Sequence, residues 1–280
     1  VAKRRGADRV TLATGHGAVI GRESGVHDAD WLIALDVTSG RTSATTQALV
    51  RMASRVEPEW LAPTRSEVRH ELDPESGIVR SHEVDWYDAV TLREHPIAVR
   101  EDVRTRILAA AWLEREPDQR SRRLMQRLKF AGLELDLVAI VGIAASQARK
   151  LSDLTLTEDH LPWNTRHALA TLAPERLTVP SGRDMTIDYA DDGTVSVAVK
   201  LQELFGLAET PRLGASATPI TFHLLAPNAR PVQTTRDLQS FWVRTYPEVR
   251  KELRGRYPRH PWPDDPWNAT PTHRTKKRLV

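Results

Sequence analysis

The stretch RSEVRHELDPESGIVRSHEVDW, residues 65–86, decides the fold class of the first third of this 280-residue chain. From Val68 to Leu72 the even-numbered residues fall on one face of an extended backbone. The charged residues on either side of them fall on the other face, which is the alternation of a half-buried strand. Between the two runs, DPESG has the composition of a five-residue hairpin turn. The stretch therefore predicts two antiparallel strands, Arg65–Leu72 and Ile78–Trp86.

Further short runs of similar composition surround this hairpin. They are separated by turns that contain glycine, and they predict strands at Arg9–Thr14, Ala18–Ile20, Trp31–Val37, Thr42–Met52 and Asp88–Glu94. Six or seven short strands within about 90 residues suit a small closed sheet. We therefore expect residues 1–94 to form one β-rich, OB-like barrel domain whose last strand closes the sheet.

Residues 95–176 have the spacing of helices. Pro96 predicts a helix start, and apolar residues then recur at helical intervals as far as Ala111. Three more helices are predicted over Asp118–Ala131, Leu135–Lys150 and Glu158–Leu172, the last with Pro162 in its first turn. This part of the chain is therefore predicted to be a helical connecting region.

Residues 177–266 return to short strands and then end in helices. The predicted elements are strands Met185–Tyr189 and Thr194–Lys200, a short helix Leu201–Phe205, strands Pro219–Leu225 and Pro231–Thr234, and helices Leu238–Thr245 and Glu248–Gly255. The pattern predicts a C-terminal domain with the order β-β-α-β-β-α. The whole chain is therefore predicted to be of the α+β class.

Composition limits the class of protein. Hydrophobic residues make up 40% of the chain and charged residues 28%, as in ordinary globular proteins. No stretch approaches the roughly 20 apolar residues of a membrane helix, and residues 1–20 lack the apolar segment of a secretory signal. The chain has no cysteine, which excludes disulfides and thiolate metal sites and favours a cytoplasmic location.

Positive charge is concentrated at the C-terminal end. Residues 241–280 contain ten Lys/Arg and four Asp/Glu, a net charge of +6, whereas the whole chain carries only +3. Aromatic residues are interspersed with these cations, and the combination is typical of surfaces that neutralise phosphates and stack on bases. It is equally typical of a solvated basic helix with a proline-rich tail, so both interpretations stay open. Residues 267–280 are predicted to be a disordered basic tail.

Several blocks of sequence resemble one known family, in the same order. RPVQTTRDLQSFWVRTYPEVRKELRGRYPRHPWPDDP, residues 230–266, resembles the C-terminal stretch of the HrpB-type ATP-dependent helicases of bacteria, relatives of the DEAH/RHA RNA helicases. LTVPSGRDMTIDYADD (177–192), VAVKLQELFGLAETPRL (197–213) and the opening VAKRRGADRVTLATGHGAVI followed by WLIALDV are similar to the same family. Residues 104–159 match more loosely. The resemblance implies an accessory C-terminal region that contacts RNA or a partner, with upstream motor domains that bind ATP and Mg²⁺.

The motor motifs themselves do not occur in the sequence. There is no G-x-x-x-x-G-K-[ST] loop to cradle phosphates and no acidic motif of the DEAH kind. No H-x-x-x-H or H-E-x-x-H pattern predicts a metal site either. We therefore expect no catalytic residue and no cofactor in this chain and no ATPase activity from it alone, as for the C-terminal part of a helicase separated from its motor.

The candidate nucleic-acid contacts are basic and aromatic residues near the two ends of the chain. They are Arg250, Lys251, Arg254, Arg256, Tyr257, Arg259 and Trp262 towards the C-terminus, and Lys3, Arg4 and Arg5 at the start. Arg250 and Arg254 are four residues apart, so they are predicted to share one helical face. Cations near a helix C-terminus are also stabilised by the helix dipole without any ligand. Docking of an acidic protein partner is therefore the alternative to nucleic-acid binding.

Other aromatic and basic groups favour structural roles. Trp163, Phe205, Phe222 and Trp242 are predicted to be core residues rather than stacking surfaces. The basic group Arg122, Arg123, Arg127 and Lys129 is predicted to be the solvated face of an amphipathic helix.

Overall fold

Short runs separated by glycine turns form the first five strands of this computed structural model, which describes residues 1–39 and 48–274. They are β1 (Ala2–Arg4), β2 (Arg9–Leu12), β3 (Gly17–Ile20), β4 (Trp31–Ser39) and β5 (Ala48–Arg55). The strand order is β1-β2-β3-β5-β4, and pairing of β1 with β4 closes a barrel. Its core is a cluster of small and branched side chains: Ala2, Val10, Ala18, Ile20, Leu32 and Val50.

The next three strands form a separate antiparallel sheet. They are β6 (Arg65–Leu72), β7 (Val79–Tyr87) and β8 (Val90–Ile97), in that order. The predicted hairpin is confirmed, with Leu72 opposite Val79. The prediction that these strands belong to the barrel is wrong, because β1 already pairs with β4 and a closed barrel has no free edge.

The start of the first helix was also predicted wrongly. Pro96 lies inside β8, opposite His82, and α1 (Glu101–Leu113) begins five residues later. A proline is tolerated there because, among the described strands, β8 is an edge strand that pairs only with β7. Proline cannot donate a ladder hydrogen bond, and for that reason it is found in edge strands rather than in central ones.

Three more helices follow: α2 (Gln119–Phe130), α3 (Leu137–Gln147) and α4 (Trp163–Leu172). Asp118 caps α2 by accepting hydrogen bonds from the amides of Arg120 and Ser121, at 3.0 and 3.1 Å. α4 begins at Trp163 and not at Glu158, because Leu161 precedes Pro162 and is extended, with φ −82° and ψ 148°. A residue before proline is disfavoured in the helical region, so the chain breaks there.

The remaining strands build the C-terminal sheets. They are β9 (Arg176–Thr178), β10 (Asp184–Thr186), β11 (Asp188–Tyr189), β12 (Val195–Lys200), β13 (Arg212–Leu213), β14 (Thr218–Pro219), β15 (Thr221–Leu225) and β16 (Pro231–Thr235). A four-stranded sheet has the order β11-β12-β15-β16, with β12 and β15 parallel. The predicted strand Met185–Tyr189 is divided in two: β10 pairs with β9, and β11 pairs with β12. The simple order β-β-α-β-β-α therefore needs correction to a mixed sheet with two small hairpins.

A buried carboxylate joins the turn between β9 and β10 to the 3-10 turn Leu201–Leu204. The side chain of Glu203 is completely buried, and Ser181 Oγ and Arg183 Nη1 each donate a hydrogen bond to it at 3.0 Å. Because both carboxylate oxygens are partnered, the buried charge is compensated.

The last helix is continuous through three segments: α5 (Leu238–Ser240), a π turn (Phe241–Thr245) and α6 (Tyr246–Arg256). Two separate helices were predicted, with Pro247 starting the second. Pro247 instead lies in the first turn of α6, directly after the π turn. Proline has no amide hydrogen and its ring crowds the preceding turn of a helix. The wider π turn before Pro247 leaves room for the ring, so the helix continues without a break.

Residues 257–272, which we call the strap, fold back along this helix without regular structure. Tyr246 Oη donates to the carbonyl of Pro263 at 2.9 Å, the amide of Gly206 donates to Pro266 O at 2.9 Å, and that of Thr272 to Gln202 O at 3.0 Å. The prediction of disorder from residue 267 is therefore wrong as far as Arg274, and residues 275–280 lie outside the described part of the chain.

The chain divides into two compact units, Val1–Ala111 with Ala148–Asp153 and Trp112–Gln147 with Leu154–Val280. In the second unit Phe205, Phe222 and Trp242 are at most 3% exposed, which confirms them as core residues, whereas Trp163 is 77% exposed and was predicted wrongly. Across residues 1–39 and 48–274, every helix is too short or too polar to cross a bilayer.

Candidate nucleic-acid interface

The exposed side of the last helix carries cations without acidic partners. Tyr246 and Leu253 are 1% and 3% exposed and define the buried side of α6. Arg244 in the π turn, and Lys251 and Arg254 in α6, are exposed on the other side. Within the described part of the chain, none of these three forms an ion pair, whereas their neighbours Arg250 and Arg256 do. We call Arg244, Lys251 and Arg254 the cation face.

Arg250 is held inside the unit by the strap. Its Nε donates to the carbonyl oxygen of Trp262 at 2.9 Å, and its Nη1 lies 2.6 Å from Asp264 Oδ1. Only 19% of its side chain is exposed. The predicted i, i+4 pair therefore does not share a solvent face, because Arg250 points to the strap and Arg254 to solvent.

Arg256 and Arg259 remain accessible at the end of α6. Arg256 pairs with Glu252 at 3.1 Å, but both side chains are more than half exposed, and such pairs are worth little in water. Arg259 is exposed in the strap. Both cations can therefore contact an anion beside the cation face.

The two aromatic candidates face inward to different degrees. Trp262 is only 6% exposed, and its Nε1 donates to the carbonyl of Tyr257 at 2.9 Å. Tyr257 is half-buried, with its ring edge-on to that of His260 at 6.4 Å. Trp262 therefore offers no open ring face to a base, since the strap and helix cover it.

His260 adds no positive charge to this surface at neutral pH. Burial, and secondly the charge of Lys200, lower the pKa of its imidazole below the usual value of 6.5. The ring is therefore neutral near pH 7.

The basic residues at the start of the chain are mostly bound within the first unit. Lys3 Nζ donates to Thr91 O at 2.8 Å and lies 5.0 Å from the centre of the Trp31 ring. Arg4 donates to the carbonyls of Ala29, Ala7 and Val26. Arg5 is exposed, so it is the member of this group most available to a ligand.

A cleft of about 650 Å³ lies within the second unit, beside α2. Its lining includes the cations Arg120, Arg123 and Arg127 and the acidic residues Glu158, Asp159, Glu175 and Asp188. Two of these cations pair with acids of the same lining, Arg123 with Asp188 and Arg127 with Glu158. Arg127 is buried, donating to Ala173 O at 2.9 Å and pairing with Glu158, so its predicted place on a solvated face is wrong. Because acids outnumber cations, this cleft does not suit a polyanion.

Two residues that the sequence reasoning missed are part of the exposed surface. Arg244 lies seven residues before Lys251, and that spacing is a helical signal that could have identified it. Trp163 opens α4 directly after Pro162, at a helix start and next to polar residues, which argues for exposure. No local pattern around Arg250 or Trp262 indicates that the strap would cover them.

Comparison with known proteins gives a consistent match. A family model described as ATP-dependent helicase C-terminal (HrpB_C) matches residues 139–266. The ATP-dependent RNA helicase HrpB of Escherichia coli strain K12 is 31% identical over 322 aligned positions, covering 99% of this chain and 38% of the relative. The crystal structure of the E. coli DExH-box NTPase HrpB is 29% identical with a TM-score of 0.54, covering 98% of this chain and 38% of that one. The chain thus spans well under half the length of the relatives it matches.

Proposed function

We propose that this chain, which corresponds to the C-terminal region of the HrpB-type ATP-dependent helicases, is an accessory region that binds single-stranded RNA through the cation face. RNA is the substrate class in the name of the E. coli relative. ATP and Mg²⁺ would bind in the motor domains of a complete helicase, since the phosphate-cradling loop does not occur in these residues.

The single observation that carries this proposal is the unpaired state of Arg244, Lys251 and Arg254 among the described residues. An exposed cation without an acidic partner can bind a phosphate without first breaking an ion pair. When it binds, counterions condensed on the nucleic acid are released, which favours binding at low salt. Glu248 is exposed between them, so the face keeps a net positive charge of two. Arg259 and Arg256 extend the positive surface towards the strap.

We also propose that the barrel is OB-like and that the chain contacts the motor domains of its helicase. Five short strands with a non-sequential order and a β1–β4 closure are typical of OB folds, which bind oligonucleotides on one sheet face. The match of nearly the whole chain to 38% of a helicase supports motor contacts.

The alternative is a module that docks a protein instead of RNA. The outer side of α3 favours it, because Val138 and Ile143 are 66% and 46% exposed and the helix contains no charged residue. Apolar side chains in solvent are typical of a surface that another protein covers.

Salt-dependent binding of a single-stranded RNA separates the two. We propose fluorescence anisotropy with a labelled oligo(U) of about 12 nucleotides, a length suited to single-strand sites. The affinity should fall with salt, and Lys251→Ala with Arg254→Ala should flatten the log-log slope by about 1.4, or 0.7 per lost contact.

The matched control removes two exposed cations elsewhere in the second unit, Arg176→Ala with Arg230→Ala. It lowers the net charge equally and should leave the slope nearly unchanged. Equal flattening by both pairs would mean that only net charge matters, and absence of binding by the unmutated chain at moderate salt would favour the protein-docking alternative.

A further inference from the structure

The first turn of α4 presents an aromatic pair to solvent. Trp163 is 77% exposed, and His167 one turn later is exposed as well. Their ring centres are 5.5 Å apart and the ring planes differ by only 8°, so the two rings are stacked with an offset. One face of the indole lies towards the imidazole, which leaves its other face open.

Exposure alone does not distinguish Trp163, because Trp60 is 74% exposed as well, but Trp163 is also stacked on His167. An indole ring carries a large apolar area whose burial is strongly favourable, and most such rings are covered in a folded chain. Stacking on His167 fixes its orientation, which lowers the entropy lost when a further ring joins the stack. The pair is therefore a flat aromatic surface with one side open to solvent.

The residues around the pair are polar or small. Asn164, Ala170 and Thr171 are exposed on α4 beside the two rings, and none of them is charged or a large aliphatic residue. This differs from the aliphatic side of α3, which is suited to another helix. A nucleobase has a flat aromatic face and polar edges, so it matches one aromatic surface surrounded by polar residues. An apolar protein surface would need a larger apolar area to pack against.

A cation lies on the same helix. Arg166, three residues after Trp163, has 42% of its side chain exposed, and its Nη1 lies 3.4 Å from Oδ1 of the largely exposed Asp159. Such a pair is weak in water, so a phosphate can compete for the guanidinium.

From these contacts we infer that Trp163 and His167 form a stacking platform for one unpaired nucleobase, with Arg166 available to the adjoining phosphate. The inference rests on the proposed function, because it names the base contact of the same single-stranded ligand. Stacking accepts every base, since each has a π face, so the platform adds affinity without sequence preference.

The test uses the whole chain and the oligo(U) described above, together with oligo(A) of the same length. Trp163→Ala should weaken binding of both by roughly tenfold, the range expected for loss of one stacked base. The loss should be the same at every salt concentration, because stacking releases no counterions, whereas the cation-face variant changes the slope. Trp163→Phe should retain most of the affinity, and His167→Ala should cause a smaller loss than Trp163→Ala.

Trp60 supplies a matched control. It is 74% exposed, in the first unit, and takes part in no aromatic stack within the described ranges. Trp60→Ala should therefore change the affinity by less than about twofold. All four variants replace exposed side chains, and an unchanged circular dichroism spectrum verifies that each is folded.

If Trp163→Ala binds as the unmutated chain does while the cation-face variant still flattens the slope, the platform is refuted and the proposed function stands. If Trp163→Ala instead abolishes self-association of the chain in size-exclusion chromatography and leaves RNA affinity unchanged, the pair is a protein contact and the inference is wrong. If the unmutated chain binds no oligonucleotide, the proposed function itself fails.

Discussion

Arg250→Ala should destabilise the second unit without changing its salt-dependent RNA binding. The side chain is 19% exposed and makes two polar contacts with the strap, to Trp262 O at 2.9 Å and Asp264 at 2.6 Å. A hydrogen bond from a charged donor contributes about 1.5–3 kcal/mol. The pair with Asp264 adds at most about 1 kcal/mol, because 88% of that carboxylate side chain is exposed. We expect a loss of about 2 kcal/mol in the free energy of unfolding, because Trp262 O also loses its donor.

Urea unfolding followed by tryptophan fluorescence measures this loss as a shift in midpoint at constant m-value. Arg254→Ala is the matched control, since it removes an exposed arginine from the same helix and should change stability by less than about 0.5 kcal/mol. The stability of Arg250→Lys should lie between that of Arg250→Ala and that of the unmutated chain. A lysine keeps the charge but cannot contact both Trp262 O and Asp264 as the planar guanidinium does. If Arg250→Ala unfolds like the unmutated chain and flattens the RNA salt slope as Arg254→Ala does, Arg250 belongs to the RNA-binding surface and is not held by the strap.

Three further predictions concern buried or capping groups. Arg183→Met leaves the buried Glu203 carboxylate with Ser181 as its only partner in the described part of the chain, so it should lower the free energy of unfolding by about 1–3 kcal/mol. Glu203→Gln removes the buried charge and should lower it by less. Equal losses for the two variants in urea titrations would contradict this order. Asp118→Ala removes the α2 cap and should cost about 1 kcal/mol, with Asp118→Asn largely preserving stability by the same measurement. Burial lowers the pKa of both His160 and His260 in the folded state, opposed at His160 by Asp159. The unfolded chain therefore binds more protons just below pH 6.5, so stability should be full above that pH and fall as pH drops towards 5. A double His160→Asn, His260→Asn variant should show a shallower fall, and an identical pH profile would exclude these groups as its cause.

Exposure of the candidate residues could not be read from spacing. Helical periodicity correctly placed Lys251 and Arg254 near each other, and both are solvent-exposed. The same periodicity counted Arg250 with them, although the strap binds its guanidinium. Whether a cation is available depends on which distant segment covers it, and no local pattern contains that information.

The sequence by itself determined the features that depend on a few neighbouring residues. Turn composition specified the β6–β7 hairpin, because the Asp73 side chain accepts hydrogen bonds from the amides of Glu75 and Ser76 within the turn. The expected burial of the Val68 face is wrong, since Val68 is 48% exposed. Asp118 marked the start of α2, because a cap is a contact between residues two and three apart. The tertiary structure alone decided that β1 closes the barrel on β4, that β12 runs parallel to β15, that the strap buries Trp262, and that Trp163 stays in solvent. Each of these results depends on segments far apart in the chain, whose pairing is selected by the total burial and hydrogen bonding of the folded molecule rather than by local preference.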